Sequence, residues 1–304
     1  ARAASEFEAA RANTVTDMML GLFEAADPTI DRADTLSVRD LLERGVERAD
    51  RLATQPRVQA DMLFVMGQAY RNLGDYDRAE ELLRRAIARH EDLGIPDREA
   101  YLDCQAILAR TMAQDLRRDE ALAIQRRVFD ARVEMHGADD PRTTLALAQL
   151  GQTHLEEERY AEAESLLTRA LEAFRRRPPT NPSAVLDVQT DLATLYVRRG
   201  DPATAAALTE SVLAERRKLL GEQHPAVAND LYHLAIYARR MAEFERAERL
   251  HREALAIRRA QLPADHPSLA LSLRMLSLVV SDLDRQAEAE ELQLEALDVL
   301  RRRY

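Results

Sequence analysis

The chain has 304 residues, 46% apolar and 32% charged, so it can bury a sizeable core under a densely charged surface. Nine Gly and eleven Pro are too few for a strand-rich fold and point instead to long helices joined by short loops. The net charge of −10 sets nucleic acid aside as a main partner, because phosphate binding requires a basic balance.

In chain order, residues 1–56 come first, as an N-terminal helical pair expected to cap a repeat array. One amphipathic helix runs through Val15, Met18, Met19, Leu22 and Phe23 and stops near Asp27-Pro28. A second uses Val38, Leu41, Leu42, Val46, Ala49 and Leu52, ends before Pro56, and takes Ser37 as its N-cap. From residue 57 a 42-residue period organises the chain. Ala79, Ala121, Ala163, Ala205, Ala247 and Ala289 form one column; Met66, Leu108, Leu150, Leu192, Leu234 and Leu276 form another. Gly67, Ala109, Gly151, Ala193, Ala235 and Ser277 come directly after it, and Leu82, Ile124, Leu166, Leu208, Leu250 and Leu292 make a fourth. The small residues belong where two helices cross closely, and the larger apolar ones fill the seam.

The copies are expected at 57–98, 99–140, 141–182, 183–224, 225–266 and 267–304, each a helical hairpin. The turn inside a copy reads Leu73-Gly74-Asp75-Tyr76 or Arg199-Gly200-Asp201-Pro202, with Gly ending one helix and Asp or Pro starting the next. Between copies stand Asp140-Pro141, His224-Pro225 and His266-Pro267, with Asn181-Pro182 shifted by one residue. The polar residue caps the next helix and the Pro costs it no hydrogen bond. Basic residues gather before these marks, at Arg175 to Arg177, Arg216 to Lys218, Arg258 and Arg259, and Arg301 to Arg303, where they suit the helix macrodipole.

These columns resemble the tetratricopeptide repeat, whose helices carry W-x2-L-G-x2-Y and A-x3-F. The first copy has Leu63-x2-Met66-Gly67-x2-Tyr70 and Ala79-x3-Leu83; the third has Leu147-x2-Leu150-Gly151-x2-His154 and Ala163-x3-Leu167. The family's large first aromatic is absent. The period and the His-Pro junctions are similar to the kinesin-light-chain subtype over Arg57 to Tyr304. The resemblance implies an all-α, right-handed α-α superhelix, a tetratricopeptide solenoid of six helical hairpins preceded by two N-terminal helices. Two further strings, Gly21-Leu22-Phe23-Glu24-Ala25-Ala26-Asp27-Pro28 and Val38-Arg39-Asp40-Leu41-Leu42-Glu43-Arg44-Gly45, are similar to the stretch preceding such repeats in large bacterial serine/threonine protein kinases. That resemblance implies a regulatory region whose kinase domain would lie upstream. The sequence starts at Ala1 with neither an initiator Met nor a signal-peptide pattern, as an excised piece of a longer protein would.

No motif for catalysis is present: no P-loop, dinucleotide fingerprint, nucleophile elbow, zinc-protease helix or kinase signature. No two of the seven His lie three or four residues apart, so no helix face presents a metal-binding pair. No metal or cofactor is expected. Cys104 is the only cysteine and reads as a small buried hydrophobe. No apolar run reaches the ~18 residues of a membrane span.

Function is therefore expected in a groove lined by the first helices, as in the family. Its candidate residues are Asp61, Phe64, Gln68, Arg71, Arg110, Gln149, Asp191, Tyr232, His233, Arg239 and Arg274, with Asn229 and Met275 alongside. Such a mixture of Arg, Tyr, Phe and amides suits an extended peptide or a protein segment, and Phe64, Tyr232 and Met275 are expected to be exposed. The Lys/Asn carboxylate clamp of chaperone-binding family members is not reproduced. The last helix carries Leu292, Leu294, Leu297, Val299 and Leu300 with no polar cap after it. That stripe is expected to be exposed, covered by a further segment, or paired in a homodimer.

Overall fold

The computed structural model describes residues 38–95, 97–114 and 117–303. The helix expected through Val15 to Phe23 and the Ser37 cap lie outside these residues. Among the described residues there are thirteen α-helices and no strand. Helix α1 covers Val38–Asp50. Six hairpins come after it: α2 (Pro56–Asn72) with α3 (Tyr76–Asp92), α4 (Arg98–Gln114) with α5 (Arg118–His136), α6 (Pro141–Glu156) with α7 (Tyr160–Arg176), α8 (Ser183–Arg198) with α9 (Pro202–Leu220), α10 (Pro225–Arg240) with α11 (Phe244–Gln261), and α12 (Pro267–Asp282) with α13 (Gln286–Arg303).

The chain divides into two compact units, Ala1–Met135 and His136–Tyr304. In the first unit α1 packs on α2, α2 on α3 and α3 on α4. Leu42, Val46 and Ala49 of α1 meet Met62, Leu63, Met66 and Tyr70 of α2. Val38 is 61% exposed, so the apolar stripe of α1 starts a turn later than its sequence suggests. Tyr70 is wholly buried, and its hydroxyl donates to Glu43 Oε1 at 2.8 Å, as a buried phenol requires. In the second unit each helix from α6 to α13 packs on the next. One cluster runs from Ala193 of α8 through Leu231, Leu234 and Tyr237 of α10 to Ile257 of α11. Another joins Leu269, Leu273 and Leu276 of α12 to Ala289, Ala296 and Val299 of α13. Burying such stripes against neighbours is what stabilises short helices, which are marginal alone.

The small-residue column has a steric cause. A Cβ on Gly67 would lie 2.9 Å from Leu83 Cγ, and one on Gly151 would lie 2.8 Å from Leu167 Cγ. The position 16 residues after the small one reads Leu83, Gln125, Leu167, Thr209, His251 and Gln293. Gly stands only opposite Leu; Ala or Ser stands opposite Gln, Thr or His.

The caps form as the sequence suggests. Asp140 accepts from Arg142 N at 3.0 Å, His224 Nδ1 from Ala226 N at 3.1 Å, and His266 Nδ1 from Ser268 N at 3.2 Å. Asn181 accepts from Ser183 N at 3.0 Å, across the intervening Pro182. Inside the hairpins, Gly74 and Gly200 take φ of +80° and +87°, and Asp75 and Asp201 cap the helices that start next. Glu158, Ala242 and Asp284 hold the same left-handed turn position with φ near +60°, without glycine's freedom.

Candidate functional site

Of the residues expected to line a groove, Asp61, Phe64, Gln68, Arg71 and Arg110 fall in the first unit and the rest in the second. Asp61, Phe64, Gln68 and Arg71 share α2, and all four are half-buried. Phe64 is not the exposed aromatic its sequence suggested: it packs against two apolar clusters, one centred on α2 and the other on α4. Arg71 donates to its neighbour Asn72 at 3.0 Å. Arg110 sits half-buried on α4. Cys104, also on α4, is 1% exposed, and burial followed by the charges of Asp103 and Asp61 pushes its thiol up to about 12. It is a packing residue rather than a nucleophile.

In the second unit, Gln149 of α6 and Asp191 of α8 are half-buried. Tyr232, His233 and Arg274 gather around one centre. The Tyr232 ring lies edge-on to His233 at 5.7 Å and to His251 of α11 at 5.5 Å. Arg258 of α11 stands over its face at 4.8 Å, close enough for a cation–π interaction. Arg274 of α12 is exposed and has no carboxylate partner among the described residues; its charge reaches Tyr232. Tyr232 and Met275 are half-buried, not exposed; the tyrosine packs against the cluster that α10 and α11 share. Arg239 departs from a free groove cation: its guanidinium is paired with Asp282 of α12, Nε to Oδ2 at 2.5 Å.

Both histidines here are neutral at pH 7. Burial, then Arg258 and Arg239, lowers His251 to about 4; burial, then Arg258 and Arg216, also lowers His233. The positive charge of this centre therefore comes from arginine alone.

Arg175, Arg176, Arg217, Lys218 and Arg259 lie in last helical turns as expected, but two arginines before the hairpin junctions do more. Arg216 and Arg258 do not simply crown their helix ends in solvent; they are 9% and 8% exposed and reach the neighbouring first helices. Arg216 pairs with Asp187 of α8 at 3.4 Å and Asp230 of α10 at 3.0 Å. Burial outweighs Arg216 and pushes the Asp230 carboxyl up to about 6. Arg258 instead donates to Asn229 Oδ1 of α10 at 2.8 Å and Ser272 Oγ of α12 at 2.5 Å. In the first unit Arg132, 3% exposed, pairs with Glu99 at 3.0 Å and with Asp103. A signal for these residues exists in the sequence. Second helices read His90, Arg132, Phe174, Arg216, Arg258 and Leu300 at the 42-residue step, and first helices read Asp61, Asp103, Leu145, Asp187, Asn229 and Leu271. Polar stands with polar and apolar with apolar.

Among the described residues no group of three or more His, Cys, Asp or Glu could hold a metal ion. Nor, among them, is any helix long and apolar enough to cross a membrane.

A model of the tetratricopeptide repeat matches residues 58–134, 112–176 and 184–260, well over half of the sequence. The chain belongs to the tetratricopeptide repeat family. It is similar to solved kinesin-light-chain TPR-like repeats of Podosopora anserina, with a TM-score of 0.56 and 24% identity over 65% of this chain and 94% of that one. The signal transduction ATPase with numerous domains of Pyrococcus horikoshii, described with a tetratricopeptide repeat sensor, superposes with a TM-score of 0.64 at 16% identity; 86% of this chain is covered and 40% of that one. The apo form of RapI gives 0.62 at 12% identity, over 93% and 97%. At such identities the likeness is one of fold. Among curated proteins none matches the chain. Tetratricopeptide repeats mediate protein–protein interaction, and the all-α hairpin architecture of both units is that of the family.

Proposed function

We propose that the chain is a non-catalytic scaffold that binds a protein or peptide on the faces of its first helices, six 42-residue repeats supplying them across residues 57–304. The carrying observation is the centre on α10 and α12. Tyr232 presents part of a ring held by His251 and Arg258, and beside it stands Arg274, which has no carboxylate partner among the described residues. Tyr and Arg are the residue types enriched among those that dominate interfaces. Asp61, Phe64, Gln68, Arg71 and Arg110 would serve similarly in the first unit, and Gln149 and Asp191 on α6 and α8. The test is a fluorescently labelled peptide library bound to the wild type and to Tyr232→Ala/Arg274→Ala. The double variant should lose at least ~ten-fold in affinity, about 1.4 kcal/mol, and Arg274→Ala alone, at an exposed position, should lose affinity with an unchanged melting midpoint. Equal binding by both proteins overturns this placement.

We further infer that the scaffold is the sensor or interaction region of a larger bacterial signalling protein, such as a serine/threonine kinase. The strings at residues 21–28 and 38–45 support this reading. The Pyrococcus horikoshii ATPase gives a precedent for joining such repeats to a signalling domain. An immunoblot of source cells tests it: a band far above the mass of these 304 residues supports it, and a band at that mass contradicts it.

A second reading, a structural oligomerisation module, draws on α13. Leu294, Leu297 and Leu300 are 62%, 48% and 38% exposed. Sedimentation of the chain at rising concentration would then reveal a homodimer that Leu297→Glu abolishes; a monomer throughout removes this reading.

A further inference from the structure

Burying a guanidinium is costly, because arginine stays charged and gives up its hydration. The penalty is offset when carboxylates take the place of water. The molecule does this twice at one helix position. Arg132 has Glu99 and Asp103, and Arg216 has Asp187 and Asp230. At the third arginine of the same column both acids are gone. Asn229 stands 42 residues after Asp187, and Ser272 stands 42 residues after Asp230. Hydrogen-bond acceptors remain, at 2.8 Å and 2.5 Å, but both negative charges are lost. Where the column is Phe174 or Leu300, the first-helix position is Leu145 or Leu271, so the column otherwise keeps its chemistry matched. Arg258 is only 8% exposed and pairs with no carboxylate among the described residues.

Nearby acids are committed elsewhere, Asp230 to Arg216 and Asp282 to Arg239. His233 and His251 add no charge near pH 7. Arg274, exposed and with no carboxylate partner among the described residues, is near enough for its charge to act on Tyr232. Asn229, which accepts from Arg258, is exposed and carries an amide N–H able to donate. The Arg258 guanidinium thus lies over the Tyr232 ring and against Asn229, and the charge of Arg274 acts on the same ring, in a chain whose overall charge is −10.

We propose that this cluster receives the side-chain carboxylate of an Asp or Glu in the bound peptide. The carboxylate would contact Arg258 and the Asn229 amide, with Arg274 adding attraction at the rim, and so supply from outside the counter-ion that Arg132 and Arg216 find within the fold. The proposal rests on the peptide-binding reading and specifies what one point of that face selects.

The experiment uses the whole chain and two fluorescein-labelled peptides, (Glu-Gly-Ser)4 and (Gln-Gly-Ser)4, followed by fluorescence anisotropy. The wild type should bind the Glu peptide at least ~ten-fold more tightly. Asn229→Asp/Ser272→Asp gives Arg258 the pair of acids that Arg216 has and should abolish that preference while keeping or raising the melting midpoint. Ser211→Asp, an added charge on the exposed side of α9, should leave the preference intact. Equal loss in Ser211→Asp, or an undiminished preference in Asn229→Asp/Ser272→Asp, overturns the carboxylate site. Glu and Gln peptides bound equally by the wild type overturn it while leaving the groove in place. If the wild type binds neither these two nor any member of the peptide library, the groove reading falls with it.

Discussion

At Gly151 the difference between two atoms and van der Waals contact decides which residue fits. The Cβ of an alanine would sit 2.8 Å and 2.9 Å from Leu167 Cγ and Cδ2. Alanine favours helix by about 1 kcal/mol over glycine, but overpacking of this kind costs about 1–3 kcal/mol. Gly151→Ala should therefore destabilise the chain, and adding Leu167→Thr, the pairing of Ala193 with Thr209, should recover the loss. A double-mutant cycle by urea unfolding checks this; simple additivity contradicts the size match. His251 offers a second test. Its folded pKa is about 4, below the unfolded value near 6.5. The unfolded chain thus takes up a proton that the folded chain refuses. Stability is full above pH 6.5 and falls as the pH drops towards 4, by roughly 2–3 kcal/mol. His251→Gln, the residue type at Gln125, should have a shallower loss of stability between pH 7 and 4.5; identical slopes contradict the account. The small-residue column was plain in the sequence, because period and size are properties of letters. The burial of Arg216 and Arg258 was not, since a cation near a helix end suits solvent and the macrodipole equally well until its partners on neighbouring helices are known.

At the scale of the element, helix ends were legible wherever one side chain closes them. Asp75, Asp140, Asp201, His224 and His266 all accept from backbone N–H groups of the first turn. The left-handed turn was legible at Gly74 and Gly200 but hidden at Glu158, Ala242 and Asp284, where packing of the hairpin imposes a backbone that composition does not announce. A left-handed non-glycine residue costs about 1–2 kcal/mol, while glycine loses more entropy on folding. Ala242→Gly should stabilise the chain by about 0.5–1 kcal/mol, raising the melting midpoint; a fall would mean that the turn carries no strain. Ion pairs between successive hairpins, such as Arg199 with Glu164 at 2.5 Å and Arg285 with Glu248 at 2.8 Å, are surface pairs and contribute little each. The apolar seams remain the main source of stability.

At the scale of the whole molecule, the 42-residue period, its turn residues and its motif columns together sufficed to read helical hairpins and the family. It could not separate groove from joint. Arg239 and Phe64 both occupy face positions by register, yet one pairs with Asp282 and the other packs on two apolar clusters. Register fixes direction along a helix, while exposure depends on what the next hairpin places opposite. The central claim is that a protein or peptide ligand binds on the faces of the first helices. Hydrogen–deuterium exchange of the full chain, with and without a saturating ligand selected from the peptide library, tests it most directly. Slowed exchange on the first helices, centred on α10 and α12 around Tyr232 and Arg274, is the predicted result. Protection confined to the second helices α9, α11 and α13 would contradict it.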